Sequence, residues 1–126
     1  MGKIKGSEML GKNCINPITN KEVPILPATF IMTDTGTGIV TSVPSHAPFD
    51  WIALQELIER DELQRYGVSK DSVEPIATIK LEGFGEHPGK YIVEKMGIKS
   101  QTEFEKLKEA LKIIYNKEHH DGIMNE

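Results

Sequence analysis

Apolar residues follow two different periods along this chain, and the change between them divides it. Up to about residue 43 the β-branched positions cluster in extended-looking runs. Residues 23–33 read as a strand that Pro24 and Pro27 make an edge or interrupted one. Residues 38–43 (Gly38-Ile39-Val40-Thr41-Ser42-Val43) read as a second strand, ended by Pro44, which has no N–H for a ladder. From about Ser45 the period becomes helical. Trp51, Leu54, Leu57 and Ile58 share one face, and the step to Leu63 breaks phase. A kink or two separate helices near Arg60-Asp61 and a stop at Gly67 are therefore expected. Alternation over 75–81 predicts a third strand, and Glu82-Gly83-Phe84-Gly85 a turn. Pro88 opens a helix through Met96 that Gly97 closes. Ser100-Gln101-Thr102-Glu103 forms a capping box. The helix it starts carries Phe104, Leu107, Leu111 and Ile114 on one face and runs to the region before Gly122. On its polar side Glu103–Lys106, Glu105–Lys108 and Glu109–Lys112 can pair. Before all of this, residues 1–33 are short extended pieces joined by turns at Gly6, Ser7, Gly11 and Asn16–Lys21. The pattern is α+β, with no repeat or linker to divide residues 1–126 into more than one domain.

Composition adds exclusions. The 126 residues suffice for one domain with a core. No apolar run approaches a membrane span, and Met1-Gly2-Lys3-Ile4-Lys5-Gly6 is no signal peptide. A net charge of −4 argues against strong non-specific nucleic-acid binding. It leaves room for a domain that receives only the end of an RNA held elsewhere. The single cysteine, Cys14, excludes an internal disulfide and is expected to be a small buried side chain. The cytoplasm is the default compartment.

The densest chemistry lies between Thr35 and Trp51. Gly36 and Gly38 can take positive φ, and Thr37 between them offers a hydroxyl and an N–H. Ser45 can cap a helix whose first turn holds Pro48 and Asp50. A carboxylate there feels the positive end of the helix dipole, stays ionised, and would suit a primary ammonium. The plainer alternative is a strand-to-helix junction with a capping acid. His46 could be a general base or a satisfied structural histidine. His87 reads as a turn or cap residue. His119 and His120, with Glu118 and Asp121, read as a polar helix end rather than a metal site. Gly83-Phe84-Gly85 lacks the context of a dinucleotide fingerprint, and Gly36-Thr37-Gly38 that of a P-loop.

The ordered run Gly36-Thr37-Gly38-Ile39-Val40, then Val43-Pro44-Ser45-His46-Ala47-Pro48-Phe49-Asp50, resembles the signature of the editing domain inserted in class I aminoacyl-tRNA synthetases for leucine, isoleucine and valine. Further landmarks are similar to the leucine enzymes of archaeal and eukaryotic cytosolic type. They are Lys3-Ile4-Lys5-Gly6, Asn16-Pro17, Ile25-Leu26-Pro27-Ala28, Tyr66-Gly67, Gly83-Phe84-Gly85, Ile98-Lys99-Ser100-Gln101, Ile114-Tyr115 and Gly122-Ile123-Met124. Together they cover nearly the whole chain. The class I ATP-binding signatures do not occur in it. Nor does the threonine-rich peptide that precedes the Gly-Thr-Gly loop in that domain. The chain is therefore expected to be the later part of such a domain, carrying part of its β-barrel and the helices packed on it.

The resemblance implies post-transfer editing: hydrolysis of the ester joining a wrong amino acid (isoleucine, methionine or norvaline) to tRNA-Leu. One methylene in an apolar pocket is worth only about 1–3 kcal/mol, too little for translation fidelity. By matching position, Asp50 would hold the α-ammonium of the misattached amino acid. Thr37, Gly36 and Gly38 would line the ester and terminal ribose. Thr41, Val43 and His46 would shape the amino-acid side. The partners implied are the tRNA-Leu 3′ end and the rest of the synthetase chain, with no membrane. No cofactor or metal is expected in this domain; ATP and Mg would serve the catalytic domain of the parent enzyme. The alternatives are a non-catalytic structural or tRNA-docking fragment, and an editing domain of isoleucine or valine type.

Overall fold

A computed structural model describes residues 2–32, 34 and 36–125. Two compact units form: residues 1–40 with 57–74, and residues 41–56 with 75–126.

In the first unit, β1 (Asn13–Ile15) and β2 (Glu22–Pro24) pair antiparallel, with Cys14 opposite Val23. The Asn16 side chain closes the turn between them by accepting the N–H groups of Ile18 and Thr19. Asn20 adopts positive φ there. Helix α1 (Pro48–Glu59) contributes residues 57–59 to this unit, and α2 (Glu62–Arg65) follows. The expected break falls at Asp61, which turns left-handed at φ 55°, and Gly67 takes φ 68° after α2. Leu57, Leu63 and Val68 form the buried cluster, with Leu26, Ile58, Tyr66 and Val73 packed on it.

In the second unit, α1 contributes residues 48–56. β3 (Ile79–Lys80) pairs antiparallel with β4 (Ile123–Met124), while α3 (Pro88–Lys95) packs on α4 (Phe104–Asp121). Leu107, Ala110 and Ile114 are fully buried. That face is rotated from the predicted one. Phe104 is exposed on one side and meets the Phe49 ring edge-on at 5.4 Å.

The structure corrects several expectations. Residues 38–43 form no strand: the Val43 N–H donates to the Asp50 carboxylate, and its carbonyl accepts from His46 and Ala47. Of the first predicted strand only Val23 and Pro24 lie in β2, and Thr33 lies outside the described residues. Only Ile79–Lys80 of the third pairs, with a C-terminal partner that periodicity had not marked. The sheets of the described residues are two-stranded and close no barrel. Cys14 is exposed, because β1 has no cover over its outer face. The capping box is displaced as well. Glu103 reaches back to the Lys99 N–H (2.7 Å) and pairs with Lys106, so α4 begins at Phe104. The hydrogen bond from Lys106, then that from Lys99, holds the Glu103 carboxyl below its ordinary range.

Candidate functional site

Pro48 starts α1, and Asp50 in the first turn bends back to the loop before it. The Val43 N–H donates to Asp50 Oδ2 at 2.6 Å, a charge-assisted bond that folds 43–50 into a closed corner. His46 and Ala47 N–H groups donate to the Val43 carbonyl at 3.0 and 2.9 Å. Asp50 is buried, and this burial pushes its carboxyl above the ordinary range, against the bonds from Val43 and the Ser42 side chain.

Three elements hold this corner from outside. The first is α3. Ser45, wholly buried, does not cap α1; its hydroxyl lies 3.0 Å from His87 Nδ1, and its carbonyl accepts the Gly89 N–H at 2.8 Å. A Cβ on Gly89 would stand 2.9 Å from the Pro44 carbonyl oxygen, so only glycine permits this approach. The His87 ring also stacks on Trp51, 5.8 Å between centroids. The second is Thr78, just before β3, whose N–H donates to His46 Nε2 at 3.0 Å. The third is α4: Glu118 Oε1 lies 2.6 Å from His46 Nδ1, both side chains being 8% exposed. A backbone N–H can only donate, so His46 Nε2 carries a lone pair and the ring proton sits on Nδ1, facing Glu118.

The structure thus brings Val43, His46 and Asp50 together in the second unit, where Thr41 also lies, exposed. Gly36, Thr37 and Gly38 belong to the first unit. There Gly36 and Gly38 take φ 62° and 71°, and the exposed Thr37 hydroxyl accepts the Ile39 N–H at 3.3 Å. Thr35, the start of the stretch, lies outside the described residues. An open groove of about 630 Å³, lined by Lys80, Leu81, Phe84, Lys117 and Asp121 among others, includes none of the predicted site residues. His119 and His120 stack edge-on at 5.0 Å, and no group of metal-binding side chains occurs among the described residues.

Sequence reading missed Thr78, Glu118 and Tyr115. Burial, then the charges of Asp50 and Glu118, raises the Tyr115 phenol above its ordinary value, which puts this half-exposed ring in the field of the corner. A signal for Glu118 was present. The apolar series 104, 107, 111, 114 continues to 118, and an acid at a core-facing position asks for a partner.

Known proteins share the sequence and fold of this chain. Residues 3–62 match the family model described as leucyl-tRNA synthetase, editing domain. The chain is 51% identical over 124 residues to the leucine–tRNA ligase of Methanocaldococcus jannaschii, covering 98% of this chain and 12% of that protein. Against the leucine–tRNA ligase of Pyrococcus abyssi it is 49% identical over 125 residues, covering 96% and 13%. It therefore spans about an eighth of the length of these relatives. The crystal structures of the cytosolic leucyl-tRNA synthetase editing domains of P. falciparum and P. knowlesi superpose on 96% of this chain. In each case the TM-score is 0.81 and the identity 28%, over 42% of the solved chain. By class, this arrangement of mixed helices and strands is that of the editing domains of aminoacyl-tRNA synthetases. Within that class the chain is similar to the leucyl-tRNA synthetase editing domains, and its archaeal relatives are leucine–tRNA ligases.

Proposed function

We propose that this chain supplies the amino-acid-recognising corner of a post-transfer editing site, which hydrolyses the ester of tRNA-Leu carrying isoleucine, methionine or norvaline. The observation that carries the reading is the buried Asp50 carboxylate, fixed at the start of α1 by the Val43 N–H. A buried acid is unfavourable in itself and favourable towards an ammonium that arrives with the substrate. Asp50 then reads the α-ammonium, while Thr41 and Val43, both exposed, offer the amino-acid side its surface. Thr37, with Gly36 and Gly38, serves the ester and ribose end through its hydroxyl and backbone groups.

An activated ester needs a placed water and donors for the developing oxyanion more than a strong base. The reading therefore gives the water to backbone groups and the ribose hydroxyl of the tRNA, without a covalent enzyme intermediate. His46 takes no proton in it, because both ring nitrogens already have partners. The solved relatives have more than twice the length over which this chain matches them.

The test is a chimera in which this chain replaces the matching segment of the M. jannaschii leucine–tRNA ligase. A hydrogen bond to a charged group is worth about 1.5–3 kcal/mol, so Asp50→Ala should slow deacylation of isoleucyl-tRNA-Leu roughly 10- to 150-fold. Unchanged clearance by the variant would refute the role of Asp50.

A further inference from the structure

We infer that Glu118 is a positioning residue for this site, acting through His46 on the carboxylate of Asp50. The inference rests on the editing role given to Asp50. Three short links connect the groups. Glu118 Oε1 accepts a hydrogen bond from the Nδ1–H of His46 at 2.6 Å. The His46 backbone N–H donates to the Val43 carbonyl at 3.0 Å. The Val43 N–H donates to Asp50 Oδ2 at 2.6 Å. On its other side the imidazole is pinned by the Thr78 N–H at 3.0 Å, with the Thr78 hydroxyl at 3.2 Å from the same nitrogen. A ring held at both nitrogens has one orientation and one tautomer. Its backbone, and with it the Val43 amide that aims Asp50, is held in turn.

Two features mark this as a built device rather than a chance surface pair. His46 is 6% exposed, and the two side chains of the pair are 8% exposed each, unlike the solvent-facing pairs Lys106–Glu103 and Lys117–Asp121. Behind Glu118, the chain leaves α4 through Gly122, where any Cβ would collide with the Glu118 carbonyl and lie 2.7 Å from Ile79 Cγ2. The C-terminal strand can then return beside Thr78, where the Asn125 N–H donates to the Thr78 carbonyl at 2.9 Å. Both partners of His46 are thus fixed by one short turn. The His46–Glu118 contact, 72 residues apart in sequence, joins the end of α4 to the corner.

The experiment has two arms. In this chain, nitrogen-15 NMR of His46 should show the neutral ring with its proton on Nδ1. Glu118→Gln, which keeps an acceptor oxygen, should leave that tautomer in place, and Glu118→Ala should release it to exchange. In the chimera, single-turnover deacylation should fall at least tenfold in kcat for Glu118→Ala, with KM little changed. Glu118→Gln should restore most of the rate, and adding Glu118→Ala to Asp50→Ala should lose little more. A proton on Nε2 would overturn the inference. So would wild-type kcat in a folded Glu118→Ala protein, or failure of Glu118→Gln to restore the rate. If instead Asp50→Ala clears the ester normally while the NMR result stands, the editing role of Asp50 fails and the clamp is structural only.

Discussion

Asp50 faces two opposing demands. Burial raises its carboxyl pKa, so the native state binds a proton more readily than the unfolded chain. Between the ordinary carboxylate value and the raised native one, the stability contributed by this group falls as pH rises; above both, the ionised acid is a net burden on the fold. An ammonium in the site would offset that burden, which is a reason to retain an acid there. Asp50→Asn keeps an oxygen for the Val43 N–H and removes the charge. Its melting temperature at neutral pH should equal or exceed that of the parent, with a flatter pH dependence through the acidic range, while editing is lost. Thermal melts as a function of pH check this; a lower melting temperature at neutral pH would show that the ionised form stabilises the fold. The identity of Asp50 as the candidate group was legible, because an acid two residues after a helix-opening proline is a local pattern. Its raised pKa was not. The helix dipole predicts the opposite direction, and only the packing of its surroundings reverses it.

The helices were the readable elements and the strands were not. The helical face of 51–58, the break at Asp61 and the glycine stops at Gly67 and Gly97 are set by neighbours within a few residues. β3 pairs with β4 across more than forty residues, and each contributes only two, so no alternation is long enough to register. Residues 38–43 carry the composition of a strand. Where Val43 would offer its N–H to a ladder, it offers it to Asp50 instead. Glu118 was misread because its position on the apolar series of α4 was outweighed by its polar neighbours. At this scale the seat of α3 on the corner depends on a missing side chain. Gly89→Ala would push a methyl against the carbonyls of Pro44 and Ser45, at 2.9 and 3.1 Å. Overpacking of that kind costs about 1–3 kcal/mol, readable as a lower urea midpoint with an unchanged slope. An unaltered midpoint would mean that the helix and the corner separate without loss.

Across the whole molecule, the chain carries one part of an editing domain. Its first unit holds the Gly36-Thr37-Gly38 loop, and its second holds the corner built on Asp50. The family was legible from ordered landmarks spread along nearly all of the chain, whereas the β3–β4 pairing, which needs a distant partner, was not. The central claim is that Asp50 reads the α-ammonium of a misattached amino acid. It is tested most directly in the chimera by comparing single-turnover hydrolysis of isoleucyl-tRNA-Leu with that of N-acetyl-isoleucyl-tRNA-Leu, which has no ammonium. The account predicts strong preference for the free amine with Asp50 present, and loss of both the rate and the preference in Asp50→Ala. Equal hydrolysis of the two esters by the Asp50 protein, or a preference that survives Asp50→Ala, would contradict it.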